Sequence, residues 1–196
     1  MTEFISETTM PRPKLIGFCG YARTGKTTAA RYLCSDHGFM DISFATPIKD
    51  MLSAILKPVM WGNSGQYVSG ERKNEPLKIL GGKSAREAMQ TLGTEWGRKM
   101  ISETLWEDLA MSRVDRFMHG YDTSVVIDDV RFQNEVDAIK ARGGFVFCIK
   151  KSGIGPANGH ESENTDFLNL DGHIWNDGPM DMLYERIDAQ LQKVGL

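Results

Sequence analysis

The residues that most constrain this chain form the pattern G-x-x-x-x-G-K-T over residues 20–27. The pattern follows a short apolar run at 15–19, which is typical of a buried strand, and precedes a helical stretch that begins at Lys26. Glycines at both ends of such a loop allow backbone conformations that a Cβ would hinder. Backbone N–H groups can then surround a phosphate at the N-terminus of the helix. The motif therefore predicts a nucleoside triphosphate site.

Individual residues of the motif have separate roles in holding the triphosphate. Lys26 brings a positive charge to the β- and γ-phosphates, and Thr27 offers a hydroxyl to Mg²⁺, so we expect ATP and Mg²⁺ as cofactors. A chance match occurs in roughly one chain in a hundred of this length, and the flanking strand and helix argue against it. The predicted ATP ligands from the loop and the helix start are Gly20, Tyr21, Ala22, Arg23, Thr24, Gly25, Lys26, Thr27 and Thr28.

Apolar runs alternate with stretches of helical periodicity along the rest of the chain. This alternation predicts an α/β fold in which a parallel sheet is covered by helices on both faces. Ligands of such a sheet bind beyond the carboxyl ends of its strands. The predicted strands are 15–19, 39–44, 124–128, 145–149 and 173–175, and the predicted helices are 26–37, 104–119, 133–141 and three that begin at 46, 84 and 179.

A length of 196 residues predicts one domain with small additions. We interpret 1–13 as a tail and 14–196 as a single domain. Within the domain, 57–120 is expected to be an insertion with acceptor-binding helices. The polar, glycine-containing segments 57–83 and 151–171 are candidates for lids that exclude water from the reaction.

Composition excludes several classes of protein. A formal net charge of −3 argues against a chain that coats nucleic acid by charge alone. No apolar run approaches the roughly 18–20 residues of a membrane span, so we expect a cytoplasmic protein without membrane or direct nucleic-acid partners. Cys19, Cys34 and Cys148 are too far apart and too few for a disulfide framework or a zinc site.

Two acidic residues end the predicted strand at 124–128. Asp128 or Asp129 could hold Mg²⁺ or its waters, and alternating side-chain directions mean that one can face the site while the other does not. Arg131 lies two residues beyond Asp129, so both can point the same way. We therefore predict Asp129 as the metal acid and Arg131 as a phosphate ligand.

The remaining motifs favour a small phosphotransferase. No Asn-Lys-x-Asp segment of a GTPase is present, and the chain is short for a motor ATPase. A second substrate with its own phosphate would need arginines, whose planar fork matches phosphate oxygens. Arg86, Gln90 and Gly93 lie on one side of a predicted helix, with Arg98 beyond them; a solvated helix face explains the same pattern nearly as well. Trp106 on its own is more typical of a core than of a base-stacking surface.

Taken together, these residues resemble the bacteriophage deoxynucleoside monophosphate kinases. The resemblance lies in separate blocks whose order and spacing are more specific than the phosphate loop alone. The matching blocks are residues 43–49, 86–98 with Trp106 after them, 129–135, 160–163 and 176–178.

The resemblance implies transfer of the ATP γ-phosphoryl group to a deoxynucleoside 5'-monophosphate (dNMP). It also implies a kinase fold with strand order 2-3-1-4-5, and it allows a homodimer. Glu135, one helical turn from Arg131, is expected to hold the guanidinium of that arginine. By resemblance, the catalytic residues are Lys26, Arg86, Asp129, Arg131 and Glu135. The expected dNMP ligands are Lys49, Arg86, Gln90, Gly93, Thr94, Arg98, Trp106 and Arg131. Asn176 and Gly178 are expected at the ATP site, and Thr27 and Asp129 are expected to bind Mg²⁺, partly through water.

The chain departs from the family pattern at a few points. Gln133 stands where the family has proline, which should leave that turn less rigid. The chain is also shorter than members of that family, mainly between Val59 and Ser84, so the base that the acceptor site prefers stays open. Two alternatives remain: another small-molecule kinase, for instance one like dephospho-coenzyme A kinase, and a nucleic-acid-associated ATPase.

Overall fold

A computed structural model describes residues 14–155 and 168–195. The predicted tail at 1–13, the block at 160–163 and most of the second lid candidate lie outside the described residues. Five parallel strands form one sheet in the order β2-β3-β1-β4-β5, which confirms the predicted order. The strands are β1 (Leu15–Cys19), β2 (Met40–Ile42), β3 (Val125–Ile127), β4 (Phe145–Lys150) and β5 (Gly172–Trp175).

Strand β1 lies at the centre of the sheet, between β3 and β4. Leu15 pairs with Val125 on one side, and Cys19 pairs with Cys148 on the other. All five residues of β1 are buried, as expected for a strand covered on both faces. The loop that follows β1 therefore begins in the middle of the carboxyl edge of the sheet, where parallel sheets bind their ligands.

Seven helices connect the strands in the described part of the chain. They are α1 (Lys26–His37), α2 (Thr46–Met60), α3 (Ser64–Val68), α4 (Ala85–Gln90), α5 (Leu105–Asp115), α6 (Gln133–Lys140) and α7 (Met180–Lys193). Two short 3₁₀ turns occur at Glu71–Asn74 and Lys78–Leu80, and π-helical segments continue α4 over Thr91–Ile101 and α5 over Arg116–Gly120.

Local end signals explain most of these helix boundaries. Helix α1 ends before Gly38, whose φ of 70° is the left-handed conformation that glycine supplies at helix ends. Ser84 and Glu87 have the spacing of a capping box, and they form one at the start of α4. Thr104 and Glu107 have the same spacing, but the Thr104 hydroxyl donates to Asp108 instead of capping the backbone.

Helices cover both faces of the sheet. On one face, α5 and α6 contribute Val114 and Ile139 to a cluster with β1 and β3. On the other face, α1 and α7 contribute Leu33 and Ile187. The phosphate loop thus starts from a strand that is held from both sides.

The segment 57–83 folds against α2 and α4 through a third hydrophobic cluster. Tyr67, Val68 and Leu77 are buried there together with Leu52 and Leu56 of α2. Its role as a lid stays a prediction. The apolar side chains of α2 are only partly buried, since Leu56 is fully buried but Ile55 is 54% exposed.

Candidate active site

The loop between β1 and α1 has the backbone that the glycine pattern requires. Gly20 and Gly25 have φ values of 130° and 108°, which L side chains rarely adopt. A Cβ on Gly20 would also collide with the carbonyl oxygen of Ile149. The loop encloses a cavity of about 250 Å³, which is lined by Arg23, Gly25, Lys26, Thr27 and Thr28.

Asn176, at the end of β5, holds this loop from the side. Its amide nitrogen donates to the carbonyl of Thr24 at 2.8 Å, and the Thr24 hydroxyl donates to the Tyr21 carbonyl at 2.9 Å. A Cβ on Gly25 would lie 2.5 Å from the same amide nitrogen, so this contact also requires glycine. The structure therefore brings Asn176 to the loop, while its contact with ATP stays a prediction, as does that of Gly178 two residues later.

Lys26 lies over the loop. Its Nζ donates to the carbonyls of Gly20 and Tyr21, each at 2.8 Å. Burial lowers the pKa of Lys26, the nearby charge of Arg131 lowers it further, and Asp128 opposes both. The loop lysine, an acid and an arginine thus lie within electrostatic reach of one another.

Asp129 does not face the phosphate loop. Its Oδ2 accepts hydrogen bonds from the Ser43 hydroxyl at 2.7 Å and from the N–H of Ala45 at 3.0 Å. Its Oδ1 accepts one from the N–H of Phe44 at 3.0 Å. Asp129 therefore anchors the segment that leads from β2 into α2, and the prediction of Asp129 as the metal acid is corrected.

The acid that faces the phosphate loop is Asp128. Its Oδ2 accepts a hydrogen bond of 2.7 Å from the hydroxyl of Thr27. Strand β3 ends at Ile127, and the two acids after it contact different elements: Asp128 meets Thr27 of α1, and Asp129 meets the segment after β2. Of the two acids, Asp128 is the one that contacts Thr27.

Thr27 and Asp128 fit a magnesium ion. They present a hydroxyl and a carboxylate oxygen, which are ligand types that Mg²⁺ accepts, and Mg²⁺ usually takes only one or two carboxylates beside substrate phosphates. Within the described ranges, no group of three or more His, Cys, Asp or Glu residues could hold a metal by itself. This pair could therefore hold Mg²⁺ together with a bound triphosphate.

We expect Asp128→Asn to raise the Mg²⁺ concentration needed for half-maximal turnover by about 10- to 100-fold, as for partners that orient metal ligands. Asp129→Asn should instead lower the free energy of unfolding by about 1–3 kcal/mol, because one amide hydrogen would face N–H donors. Magnesium titrations and thermal denaturation of both variants separate the two roles. The reverse pattern would restore the original assignment to Asp129.

Lys73 of the first 3₁₀ turn lies within electrostatic reach of three other cations, Lys49 of α2, Arg86 of α4 and Arg131 after β3, and these four residues are called the basic cluster below. Burial lowers the pKa of Lys73, and the charges of Arg86, Lys49 and Arg131 lower it further. Arg131 also acts on Lys26. Three of the predicted phosphate ligands, Lys49, Arg86 and Arg131, thus lie within electrostatic reach of Lys73, and Arg131 is also within reach of Lys26 of the phosphate loop.

Arg98 is paired with Glu135. Its Nη2 donates to Glu135 Oε1 at 2.8 Å, and its guanidinium lies 4.0 Å from the ring centre of Phe132. Glu135 Oε2 accepts from the backbone N–H groups of Arg131 and Phe132 at 2.8 and 3.1 Å. The expectation that Glu135 holds the Arg131 guanidinium is therefore wrong: it holds that of Arg98, and it fixes Arg131 through the backbone. A phosphate contact for Arg98 stays a prediction.

Trp106 is a core residue, 3% exposed. Its Nε1 donates to the carbonyl of Gly93 at 2.8 Å, and its ring occupies the space where a Cβ on Gly97 would lie. Trp106 thereby fixes the π-helical segment that carries Gly93 and Thr94. Gln90 is exposed at the end of α4. Direct contacts of these residues with an acceptor stay predictions.

A family model described as deoxynucleotide monophosphate kinase matches residues 62–187, more than half of the chain. The chain belongs to this family. A protein of Acanthamoeba polyphaga mimivirus that carries the same name is 33% identical over 157 residues, which cover 76% of this chain and 80% of that protein.

Two further proteins are similar to this family member. The deoxynucleotide monophosphate kinase of Enterobacteria phage T4 is 32% identical over 111 residues, 56% of this chain and 46% of that one. The crystal structure of a protein from Chloroflexus aurantiacus titled as a kinase is 14% identical, with a TM-score of 0.49 over 94% of this chain and 98% of that one.

Within residues 14–155 and 168–195 of this deoxynucleotide monophosphate kinase family member, none of the helices has the length and apolar character to cross a membrane.

Gln133, which stands where the family pattern has proline, makes two contacts. It donates to Asp137 at 2.7 Å and accepts from the backbone N–H of Asn169 at 3.0 Å. The side chain thus links the start of α6 to the segment before β5.

Sequence reasoning missed two residues of the site in this family member. Asp128 was considered only as an alternative to its neighbour. Lys73 was overlooked, although one signal existed: Arg72 and Glu75 are spaced to pair with each other, whereas no acid lies three or four positions from Lys73.

A pH dependence is expected from Glu135 in this kinase family member. Burial raises the pKa of this carboxyl to about 7, the hydrogen bond from the Arg131 N–H opposes the rise, Asp129 adds to it, and Arg98 opposes it. Protonation below about pH 7 weakens the hold on Arg98 and on the backbone of Arg131. We therefore expect turnover to fall as the pH falls through 7. The Glu135→Gln variant should be less active, and its turnover should depend less on pH in this range.

The stability contribution of Glu135 runs in the opposite direction. Between the unfolded pKa of 4.5 and about 7, the folded protein keeps a proton that the unfolded chain has released. This group therefore lowers the free energy of unfolding as the pH rises through that range. Chemical denaturation of the wild type and Glu135→Gln from pH 4.5 to 8 measures the difference; parallel curves would contradict the assignment.

Proposed function

We propose that the protein transfers the γ-phosphoryl group of ATP to the phosphate of a dNMP, with Mg²⁺ as the metal, and so produces a deoxynucleoside diphosphate for DNA precursor synthesis. The observation that carries this proposal is the position of Arg131. Its charge acts both on Lys26 of the phosphate loop and on the basic cluster. An arginine whose charge reaches both the phosphate loop and the basic cluster suits a reaction in which two anions must meet.

The donor half of the site is the loop after β1. In this proposal the triphosphate lies in the cavity beside Lys26, with backbone N–H groups at the start of α1 around the β-phosphate. Thr27 and Asp128 hold the metal, which neutralises charge on the β- and γ-phosphates when it is bound. Asn176 keeps the loop in shape through its bond to Thr24.

The acceptor half is formed by α2, α4 and the π-helical segment after α4. Lys49 and Arg86 receive the acceptor's phosphate, and Gln90 and Thr94 are placed to contact its sugar or base. Trp106 supports this segment from the core. The segment 57–83 closes over the nucleotides and keeps water away from the phosphoryl group.

Rate enhancement then comes from positioning and charge neutralisation, since phosphoryl transfer needs little covalent help from the protein. Lys26 and Arg131 offset the repulsion between the donor and acceptor phosphates. Glu135 fixes the backbone of Arg131 and, through Arg98, the π-helical segment that faces the acceptor. The chemistry thus depends on segments that three side chains hold in place by hydrogen bonds: Asn176 holds the phosphate loop, Trp106 the π-helical segment, and Glu135 the backbone of Arg131.

A panel assay tests the proposal. The protein is incubated with ATP and Mg²⁺ together with each ribo- and deoxyribonucleoside monophosphate, and the products are scored as diphosphates. At least one dNMP should yield its diphosphate with stoichiometric ADP. ATP hydrolysis that needs no monophosphate and increases with DNA or RNA would overturn the proposal in favour of a nucleic-acid-associated ATPase.

A further inference from the structure

The 3₁₀ turn Glu71–Asn74 is firmly attached to the acceptor half of the site. Arg72 pairs with Glu75 at 2.8 Å, and its guanidinium lies 4.5 Å from the ring centre of Tyr67. Tyr67 itself is buried in the cluster that joins α2, α3 and α4. The turn packs directly against α3 and α4. Its position relative to the site is therefore set by the fold of the insertion.

Lys73 is the cation of this turn that has no acidic partner. Its neighbour Arg72 is neutralised by Glu75, but no carboxylate in the described parts of the chain forms an ion pair with Lys73. The side chain is half-buried. The charges that act on it are those of Arg86, Lys49 and Arg131, all of the same sign.

The mutual repulsion in such a group of like charges is relieved when an anion joins it. Partly buried charges are screened less by salt than exposed ones, so their repulsion is not removed by solvent alone. A phosphate group carries up to two negative charges and several acceptor oxygens, and it accepts charge-assisted hydrogen bonds from lysine and arginine. The four cations come from three helices or turns and one strand end, which is the convergence that a bound anion requires.

We propose that Lys73 is a ligand of the acceptor's phosphate, brought into the site by the segment 57–83. This inference rests on the proposed function, since it names a further residue for the same acceptor. It gives the segment a binding role in addition to any closing motion: it supplies one of the positive charges that offset the repulsion between the two phosphates.

Lys73→Gln tests the proposal, with Lys78→Gln as the matched control. Lys78 lies in the next 3₁₀ turn of the same segment and is exposed. Loss of one charge-assisted contact should raise the KM for each accepted dNMP about tenfold or more, while the KM for ATP changes little. Lys78→Gln should match the wild type for both substrates, and Lys73→Arg should recover part of the affinity.

A binding measurement without turnover separates this role from a structural one. Thermal denaturation is followed with saturating ADP, which occupies the phosphate loop, during titration with each of the four common dNMPs. Lys73→Gln alone should melt at or above the wild-type temperature, because repulsion is relieved, but the dNMP should shift its melting temperature less. A lower melting temperature with an unchanged dNMP shift would assign Lys73 to the fold and overturn the proposal.

The two proposals fail in different ways. If the wild type phosphorylates dNMPs and Lys73→Gln has the same KM and the same dNMP-induced shift, the role of Lys73 is overturned and the proposed function stands. If the wild type phosphorylates none of them, the proposed function is overturned, and the dNMP-induced shifts still decide whether Lys73 binds the phosphate.

Discussion

Lys26→Ala is expected to lower kcat by on the order of 1,000-fold or more, close to loss of turnover. Lys26 is the cation inside the phosphate loop, and its Nζ contacts only the carbonyls of Gly20 and Tyr21 among the hydrogen bonds of the described residues. Removing it takes away the positive charge that the loop lysine brings to the β- and γ-phosphates. The measurement is steady-state formation of the diphosphate at saturating ATP and dNMP.

The control for this variant is its stability. Since the lysine makes no ion pair in the described structure, Lys26→Ala should melt within a few degrees of the wild type. Loss of turnover in a folded protein then reports on the charge itself. A folded Lys26→Ala protein that keeps a tenth of the wild-type kcat would contradict the role of the loop.

Arg131→Ala should lower kcat by on the order of 100-fold or more, by analogy with other single charge-stabilising donors. Its side chain is exposed, and its structural contact is the backbone N–H that donates to Glu135. The alanine variant keeps that N–H, so the loop after β3 should keep its conformation. The effect should fall mainly on kcat, because the guanidinium is expected to act most strongly when charge moves between the two phosphates.

Arg113→Ala is a suitable control for Arg131→Ala. Arg113 is an exposed arginine on α5, outside the elements that form the proposed site. It should leave kcat within about twofold of the wild type, as expected for a surface substitution. Full retained activity in purified Arg131→Ala would refute the position of this arginine between the two phosphates.

The fold was largely predictable because its strongest signals are local. Strand β1 matches the predicted apolar run at both ends, and α1 begins at the loop lysine and ends before Gly38. The parallel order followed from the resemblance and is confirmed by the strand pairing. The small core of the insertion was missed, because the apolar residues Tyr67 and Leu77 stand isolated in a polar stretch and become a cluster only in three dimensions.

The contacts of the site were less predictable, because they depend on tertiary hydrogen bonds. Asp128 and Asp129 are chemically identical, and only the N–H groups after β2 decide which of them is used for structure. Glu135 is spaced correctly for the side chain of Arg131, but one of its oxygens caps the start of α6 and the other meets an arginine 37 residues away. No pattern in the sequence predicts a pairing between residues so far apart in the chain.

In the proposed reaction, Arg131 lies between a triphosphate on the loop and the phosphate of a second nucleotide. A crystal structure with ADP and the best dNMP of the panel tests this position most directly. The β-phosphate is expected within the loop at 20–27, and the monophosphate within hydrogen-bond distance of Arg86 and Arg131. A monophosphate bound away from both arginines, with the ADP in place, would contradict it.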